Sequence, residues 1–325
     1  MILVTGGAGY VGSHIVAELV DRGREVAVVD NLSCGHREAV RGVKLYEGDI
    51  RDEAFLDKVF SEIKVDAIIH FAANSLVGES VQNPLKYYDN NVGGAMSLVR
   101  AMVKHDVKKI VFSSSAAVYG EPEIVPIVED SQKDPTNPYG ETKLAIERLL
   151  KWCDGAYGIK YAALRYFNVA GARDEIGIGE DHSPETHLIP LVIHTALGKR
   201  EKIMIFGEDY PTEDGTCIRD YIDVRDLADA HIMALDYLSA GGTSEAFNLG
   251  YGKGFSVKEI IEVTKKVSGV DFKVESAERR AGDPAVLIAS PDKAKKVLGW
   301  VPKHDKIEDI IASAWRWHSS HPNGF

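Results

Sequence analysis

Short apolar runs alternate with amphipathic stretches through the first half of the chain. The first run, from Met1 to Thr5, leads through a glycine-rich turn into an apolar-periodic stretch from Ser13 to Arg22. Strands that alternate with helices in this way build a parallel sheet with helices on both faces. We therefore predict a doubly wound α/β fold. Its further strands are predicted to end near Asp30, Asp49, Ala72, Ser115 and Asn168, and its helices to cover about Arg51–Ser61, Pro84–Lys104 and Pro138–Cys153.

The turn after the first strand carries three glycines at a spacing that is typical of Rossmann dinucleotide-binding sites. Gly6 permits the tight turn, Gly9 lets a pyrophosphate approach the positive end of the helix, and Gly12 lets the helix pack closely on the strand. The second strand ends in Asp30, an acid that can accept hydrogen bonds from an adenine ribose and that repels the 2′-phosphate of NADP. The pattern therefore predicts NAD, with an ordinary glycine-rich turn as the alternative.

The alternation loosens after residue 170, where glycine, proline and charged residues become more frequent. We predict that residues 1–170 form the NAD-binding Rossmann domain and that residues 171–325 mainly form a smaller, mixed α/β, substrate-binding lobe. Within residues 220–250, the segments Asp220–Ala240 and Ser244–Asn248 are predicted to return to the sheet. The last helix, Ile307–His318, is predicted to serve packing.

A serine, a tyrosine and a lysine follow the predicted sheet edge. Ser115 comes directly after the fifth strand, and Asn137 and Pro138 are good residues for the start of a helix. Tyr139 and Lys143 then lie four residues apart on one helical face. The lysine, the helix N-terminus and a bound nicotinamide cation would all favour the phenolate, so we expect a lowered pKa for the tyrosine. This arrangement predicts Tyr139 as a general base, with Ser115 relaying or orienting the proton.

Composition and charge exclude several classes of protein. The net charge of −11 over 325 residues argues against a nucleic-acid-binding surface, which requires a basic face. Three widely spaced cysteines form neither a disulfide framework nor a zinc pattern. No apolar run approaches the roughly 18 residues that a membrane span needs. The first strand is predicted to begin at residue 2, so we expect no signal peptide before it. We expect a cytoplasmic protein without a membrane partner.

Several polar residues allow two interpretations from the sequence alone. Asp49 either accepts from the adenine amino group or caps the following helix. Arg219 and Arg280 either clamp a diphosphate or form surface ion pairs. His70 lies inside a central strand, where a satisfied core histidine is expected. A further cluster matches no known pattern of ligand spacing, so we predict no metal there, with a metal site as the alternative; it contains His182, His187, His194, Glu180, Asp181 and Glu185.

The glycine turn, the Ser115/Tyr139/Lys143 set and the chain length resemble the extended short-chain dehydrogenase/reductase family. Longer strings resemble the UDP-glucose 4-epimerases within it, above all Tyr210-Pro211-Thr212-Glu213-Asp214-Gly215-Thr216 and Arg219-Asp220-Tyr221. The resemblance implies a tightly held NAD and a UDP-hexose substrate. Tyr139 would take the proton of the sugar 4-hydroxyl while hydride leaves C4 for the nicotinamide, and return of hydride to the other face of the 4-keto sugar would interconvert UDP-glucose and UDP-galactose.

The motifs and the resemblance together imply a set of binding residues. The predicted catalytic residues are Tyr139, Lys143 and Ser115. The predicted cofactor contacts are Gly6, Gly9, Tyr10, Val11, Gly12, Asp30, Asn31, Leu32, Ser33, Gly35, Asp49, Ile50, Phe71, Ala72, Ala73, Asn90, Ser115, Tyr139, Lys143 and Phe167. The predicted substrate contacts are Ser115, Tyr139, Asn168, His187, Leu188, Met204, Ile205, Phe206, Arg219, Arg280, Asp283 and Leu287.

Three positions depart from what some relatives carry. Ser75 stands where some have a lysine that contacts the cofactor, and His187 stands where an asparagine often contacts the substrate. Leu287 lies near the position of a bulky tyrosine that walls the sugar pocket in some relatives. A smaller residue there would admit N-acetylated sugars such as UDP-GlcNAc and UDP-GalNAc, which is one alternative for the substrate.

Other functions remain as alternatives. A nucleotide-sugar 4,6-dehydratase shares the expected fold but needs an acid and a base beside the serine, where this chain has Ala116 and Ala117. A nucleotide-sugar reductase and a non-catalytic NAD-sensing protein would share the fold as well. The two long helices, Pro84–Lys104 and Pro138–Cys153, carry extra apolar positions, which favours a homodimer.

Overall fold

A computed structural model of the chain describes residues 1–280 and 283–325. Its strands are, in chain order, β1 (Ile2–Thr5), β2 (Val26–Asp30), β3 (Lys44–Glu47), β4 (Ala67–His70), β5 (Lys109–Ser113), β6 (Lys160–Tyr166), β7 (Asn168–Ala170), β8 (Ile203–Phe206), β9 (Ile218–Arg219), β10 (Tyr221–Asp223), β11 (Glu245–Leu249), β12 (Phe255–Ser256), β13 (Val274–Ala277) and β14 (Val286–Leu287). Its α-helices are α1 (Tyr10–Asp21), α2 (Glu53–Glu62), α3 (Val77–Gln82), α4 (Pro84–Tyr87), α5 (Gly94–Lys104), α6 (Pro138–Tyr157), α7 (Leu188–Ala196), α8 (Val224–Ser239), α9 (Val257–Ser268), α10 (Asp292–Leu298) and α11 (Ile307–Ser320).

The centre is a seven-stranded sheet in the order β11-β6-β5-β4-β1-β2-β3, and its neighbouring strands pair in parallel. The chain first builds outward from β1 to β3 and then crosses back to β4, so the order reverses beside β1. Parallel sheets of this kind bind ligands at the carboxyl edge of the reversal point. The predicted doubly wound Rossmann-type fold, with a smaller lobe after it, is confirmed.

The two faces of the sheet are buried in two separate cores, because successive side chains of a strand point to opposite faces. Val4, Val28 and Ile69 belong to the core that packs against α1 and α8. Leu3 and Ile68 belong to the opposite core, which is closed by α2, α5 and α6. Both faces are therefore apolar, which explains the nearly continuous apolar runs of the central strands.

Most predicted strands end two residues earlier than expected. The strand before Ala72 already ends at His70, because the backbone N–H groups of Phe71 and Ala72 both donate to Thr5 O and the chain leaves the ladder there. The sixth strand likewise ends at Tyr166, and Asn168 begins β7, which pairs with β10 in a separate two-stranded sheet.

Of the two predicted long helices, one is regular and one is not. Helix α6 begins where expected, with Pro138 in its first turn and the Asn137 side chain accepting from Gly140 N at 2.9 Å. The predicted helix Pro84–Lys104 is instead interrupted by a π-helical turn over Tyr88–Gly93. Such turns change the helical register locally and are frequent at functional sites. Here the turn contains the predicted cofactor residue Asn90.

The later part of the chain contributes both to the sheet and to a smaller lobe. Strand β11 extends the sheet beside β6, and α8 packs against β5 and β6, whereas β10 pairs with β7 in the separate two-stranded sheet. The lobe contains the pair β8–β13, the sheet β12-β9-β14 and a core shared by α7, α9 and α11. Trp317 of α11 is buried in accordance with its predicted packing role. Among the described residues, we find no helix that combines the length and the apolarity required to cross a membrane.

Candidate active site

The glycine-rich turn is shaped by close contacts between backbones. Gly6 has a φ of +74°, and a Cβ there would lie 2.5 Å from Ala72 N. A Cβ on Gly12 would lie 2.1 Å from Gly6 O. Gly9, the N-cap of α1, carries no side chain that could occupy the first N–H groups of that helix. The turn therefore keeps bare N–H groups at the positive helix end, as an anion such as a pyrophosphate requires.

Asp30 joins the turn to the loop after β2. One carboxylate oxygen accepts from Ala8 N and the other from Leu32 N, both at 2.9 Å. Burial raises the pKa of Asp30, and these two N–H donors oppose that rise. A Cβ on Gly35 would lie 2.6 Å from Ala8 C, so the loop packs directly on the turn. The structure thus brings much of the predicted cofactor set to one place, including the loop residues Asn31, Leu32, Ser33 and Gly35.

Asp49 is not the cap of the next helix. The N-cap is Asp52, whose side chain accepts from Ala54 N and Phe55 N. Asp49 instead binds the Arg51 guanidinium at 2.7 Å and accepts from Asn31 Nδ2 at 3.3 Å. The hydrogen bond with Arg51 lowers the pKa of Asp49 to about 2, which keeps the carboxylate charged beside the loop after β2.

The predicted catalytic residues lie together behind the carboxyl end of β5. Lys143 is 3% exposed and its Nζ donates to Ser113 O at 2.7 Å. The same Nζ lies 5.7 Å from the centre of the Tyr139 ring. Ser115 caps a short 3-10 turn by accepting from Ala117 N at 3.1 Å, and its side chain lies beside Tyr139. The i, i+4 spacing on α6 therefore produces the predicted grouping.

The electrostatics of this group differ from our expectation. Burial raises the pKa of Tyr139, and the neighbouring Ser115 side chain only partly offsets that rise. Burial also lowers the pKa of Lys143 to about 7, against the opposing charge of Glu147. The expected shift of the phenol pKa towards neutrality is therefore absent for the protein groups alone, because loss of water outweighs the lowering by Ser115. The contribution of a bound nicotinamide cation stays a prediction.

A buried ion pair supports the catalytic helix from behind, and the sequence reasoning missed it. Glu147 accepts from Ser114 Oγ at 2.5 Å and from Arg165 Nε at 2.9 Å, and its second oxygen accepts from Arg165 Nη2. Arg165 also donates to Tyr119 OH at 2.7 Å. One feature of the sequence could have indicated this pair, because Glu147 lies one helical turn beyond Lys143 on the same face.

The other predicted cofactor residues are buried or half-buried. Asn90 donates to Asn91 Oδ1 at 3.0 Å within the π-helical turn. Phe71 contacts the buried His231 ring at a centroid distance of 4.8 Å. His70 is buried and shares a 2.7 Å hydrogen bond with Thr5, which confirms it as a satisfied core residue. Ser75 is exposed, and its relation to the cofactor stays a prediction. Val11, Ala72 and Ala73 are half-buried, and Ile50 is buried.

The predicted substrate residues of the lobe form two groups. Arg219 is paired with Asp283, and β9 aligns Arg219 with Leu287 of β14. In the second group, the Arg280 guanidinium lies 4.2 Å from the centre of the Phe206 ring, at the end of the strand that also carries Met204 and Ile205. Leu287 and Phe167 pack against one small core that includes Leu144 of α6, and this links the lobe to the catalytic helix. Asn168 begins β7, where its N–H donates to Asp220 O.

The loop before α7 contains the group of histidines and acids seen in the sequence, but without His194. His187 Nδ1 lies 2.8 Å from Glu180 Oε1 and 3.0 Å from Glu185 Oε1. Burial alone would lower the pKa of His187, but the attraction of Glu180 and hydrogen bonds with both acids raise it to about 10. Burial alone would also lower the pKa of His182, but the neighbouring Glu180 and Glu185 carboxylates together raise it to about 9.

His194 and Leu188 lie apart from that group of acids. The His194 ring contacts the His318 ring of α11 at a centroid distance of 5.0 Å. Leu188, the first residue of α7, packs in the core of the lobe. Tyr10 connects the group to the cofactor turn, since its ring lies 6.2 Å from the His182 ring and its hydroxyl donates to Gly171 O at 2.7 Å.

The chain is similar to known proteins over its whole length. The model of the NAD dependent epimerase/dehydratase family matches residues 2–250. The UDP-glucose 4-epimerase of Halalkalibacterium halodurans is 58% identical over 324 residues, which cover 100% of this chain and 97% of that protein. The solved UDP-glucose 4-epimerase of Bifidobacterium longum in complex with NAD⁺ and UDP is 41% identical, with a TM-score of 0.93 and coverage of 100% of this chain and 99% of that one.

A third similar protein is the solved UDP-Glc/GlcNAc 4-epimerase of Campylobacter jejuni. It is 48% identical, with a TM-score of 0.87 and coverage of 98% of this chain and 99% of that one. The resemblance to the UDP-glucose 4-epimerases is thereby confirmed, and this chain belongs to the NAD dependent epimerase/dehydratase family.

Proposed function

We infer that this protein is an NAD-dependent isomerase that interconverts UDP-glucose and UDP-galactose, with a role in galactose metabolism. Relatives named UDP-glucose 4-epimerase match the full chain, and solved relatives contain NAD and UDP. The observation that carries the inference is the grouping of Tyr139, Lys143 and Ser115 behind the sheet edge that also holds the glycine turn.

The residues at the turn fit NAD. The closely packed backbones around Gly6 and Gly12 exclude side chains and leave N–H groups for a pyrophosphate. Asp30 places a carboxylate at the end of β2, where an adenine ribose is bound in Rossmann folds and where a 2′-phosphate would be repelled. When bound, NAD supplies reversible hydride uptake at the sugar carbon.

The protein groups handle the proton of the reaction. Tyr139 accepts the proton of the 4-hydroxyl, and Ser115, whose side chain lies beside it, orients the transfer. Lys143 is held by Ser113 O and stabilises the phenolate by its charge. Residues 1–170 with the segments of 220–250 bind NAD, and the lobe within 171–325 binds the UDP-sugar.

The lobe offers chemistry suited to UDP. Phe206 presents an aromatic ring for the uracil. Arg219 and Arg280 carry planar guanidinium groups, which recognise phosphate oxygens in pairs. The ion pair of Arg219 with Asp283 and the stacking of Arg280 on Phe206 orient both groups before a ligand arrives.

The substrate range extends to N-acetylated UDP-sugars in this proposal. Leu287 packs beside Phe167 and Leu144, and it is smaller than the tyrosine of some relatives. The similar protein of Campylobacter jejuni is named for activity on both UDP-Glc and UDP-GlcNAc. A Leu287→Tyr variant should lose affinity for UDP-GlcNAc and keep it for UDP-glucose. Equal losses for the two sugars, measured by inhibitor titration, would contradict the proposal.

We further propose a homodimer. Large apolar side chains are exposed on the helices α3 to α6, including Val81 at 61%, Leu85 at 80% and Trp152 at 78%. Apolar patches of this kind mark protein interfaces. Light scattering after gel filtration should give twice the chain mass.

The three cysteines are free thiols, which suits the reducing cytoplasm that we propose as the location of this protein.

One incubation separates the possible reactions. Pure protein with UDP-galactose and no added NAD should form UDP-glucose, because the hydride that is removed is also returned. A 4,6-dehydratase would form a keto sugar, but Ala116 and Ala117 carry no proton for that elimination. A protein that only senses NAD would leave the UDP-galactose unchanged.

A further inference from the structure

The loop before α7 brings together four side chains of the kinds that bind transition metals. Glu180, His182, Glu185 and His187 each offer one ligand atom, and these atoms all lie within 4.8 Å of one another. The four residues belong to one short segment, so the fold of a single loop produces the cluster. Their spacing in the sequence matches no common motif, which explains why the sequence favoured no metal.

The distances between the ligand atoms suit a small coordination sphere. His187 Nδ1 lies 2.8 Å from Glu180 Oε1 and 3.0 Å from Glu185 Oε1, and His182 Nδ1 lies 3.2 Å from Glu180 Oε1. Ligands of a tetrahedral zinc ion at about 2.0–2.2 Å are separated by roughly 3.3 Å. The cluster therefore needs shifts of about an ångström or less to surround one ion.

A second observation at the cluster points to a missing partner. Within the described part of the chain, Glu185 Oε2 is buried and has no hydrogen-bond partner, while the side chain is only 6% exposed. Its nearest positive group, His182 Nδ1, lies 3.7 Å away. A buried carboxylate oxygen without a partner is costly, and such groups in proteins commonly coordinate an ion or a water molecule.

We propose that Glu180, His182, Glu185 and His187 bind one divalent cation of the zinc class. Imidazole nitrogens combined with carboxylate oxygens suit zinc, whereas magnesium and calcium prefer oxygen ligands alone. Two carboxylates neutralise the double charge of the ion. The ion takes the place of the protons that now join the imidazoles to the carboxylates, and it gives Glu185 Oε2 a partner.

The position of the cluster assigns the ion a structural role. Four protein ligands close the coordination sphere of zinc and leave no open position for catalysis. The His182 ring lies against the Tyr10 ring, and the Tyr10 hydroxyl donates a hydrogen bond to Gly171 O. The ion therefore fixes the loop against the first turn of α1, which is the helix of the proposed cofactor turn. Binding to the folded protein alone should raise its unfolding temperature.

Metal titration of the intact protein tests the site. The protein with its bound cofactor is stripped with a chelator, and zinc chloride is added in a calorimeter, with magnesium chloride in a parallel experiment. We expect about one zinc ion per chain and no comparable magnesium binding. Cobalt chloride should produce the visible absorption bands of a four-coordinate ion with nitrogen and oxygen ligands.

Matched variants separate this site from other histidines. Glu185→Gln and His182→Asn each remove one ligand and should weaken zinc binding by at least about tenfold. His194→Asn removes a nearby histidine that contacts His318 instead, and it should bind zinc as the unchanged protein does. Circular dichroism checks that each variant is folded, and two ligand variants protect the test against the loss of one.

The proposal would be overturned by a stripped protein that takes up no stoichiometric zinc, or by Glu185→Gln and His182→Asn variants that fold and bind zinc unchanged. Equal weakening in His194→Asn would assign the binding to scattered surface histidines and would also overturn it. Epimerase activity is measured separately on the unchanged protein, so failure of the proposed reaction would leave the zinc result standing.

Discussion

Two groups of titratable side chains in this protein show opposite effects of the same fold. At Tyr139 and Lys143, burial determines the direction of the pKa shift. The pKa of the phenol is raised and that of the ammonium is lowered to about 7. In the loop before α7, pairing with carboxylates determines the direction instead. The pKa values of His182 and His187 rise to about 9 and about 10, although burial alone would lower both. Desolvation acts on both groups, so another factor sets the difference.

That factor is the number of carboxylates available to each cation. Glu147 is the carboxylate that faces Lys143, but Arg165 already occupies both of its oxygens. In the loop, the two carboxylates of Glu180 and Glu185 pair with two histidines. A buried cation with a shared carboxylate is thus only weakly held in its charged form, whereas matched pairs keep their charges. The pKa of Lys143 consequently lies near neutrality, whereas the two histidines of the loop stay charged there.

The largest expected effect comes from Tyr139→Phe, which removes the proposed base from the group where burial dominates. Turnover of UDP-galactose should fall by about 10²–10⁴, the usual loss for one general base. Binding of NAD and UDP should persist, because the ring keeps its place. The exposed Tyr157 at the end of the same helix provides the control, and Tyr157→Phe should retain full activity. Unchanged turnover in Tyr139→Phe would remove this tyrosine from the mechanism.

The next effect concerns the shared carboxylate. Glu147→Gln leaves Arg165 buried, at 4% side-chain exposure, without its counter-charge. Removing one partner of a buried pair costs about 3–5 kcal/mol, so the free energy of unfolding in urea should fall by that amount. The half-exposed pair of Arg24 with Asp236 is the control, because Asp236→Asn should cost no more than about 1 kcal/mol. Equal costs for both variants would mean that the buried pair contributes no more than a surface pair.

The sequence predicted those features that depend on neighbours along the chain. The start of α6 followed from Asn137 and Pro138, and the closeness of Tyr139 and Lys143 followed from helical spacing. The glycine turn followed in the same way from residues 6–12. Each of these depends on local geometry that residue types alone determine.

The features that it did not predict depend on contacts between distant segments. The π-helical turn at Tyr88–Gly93 places Asn91 between Asn74 and Thr142, and the pairing of Glu147 with Arg165 joins a helix to a strand. The raised pKa of the Tyr139 phenol in the protein without cofactor was not predicted, because spacing does not reveal how completely a phenol is buried. Tertiary packing, which no short motif records, determines all three.

The smallest expected effect tests burial at His70, whose pKa is shifted by burial and by Lys143 and not by an acid. Burial, followed by the charge of Lys143, lowers the pKa of His70 from its ordinary 6.5 to about 3. A depressed pKa in the folded state means that stability is fully present above pH 6.5 and is lost as the pH falls towards 3. At about pH 5 this residue should account for a loss of about 2 kcal/mol. His70→Gln cannot take up that proton, so its unfolding free energy should fall less between about pH 7 and pH 5 than that of the unchanged protein. Other buried histidines act equally in both proteins and cancel in the difference. Parallel losses of stability in urea titrations would show that burial does not keep His70 neutral, and the contrast between the two groups would then need another cause.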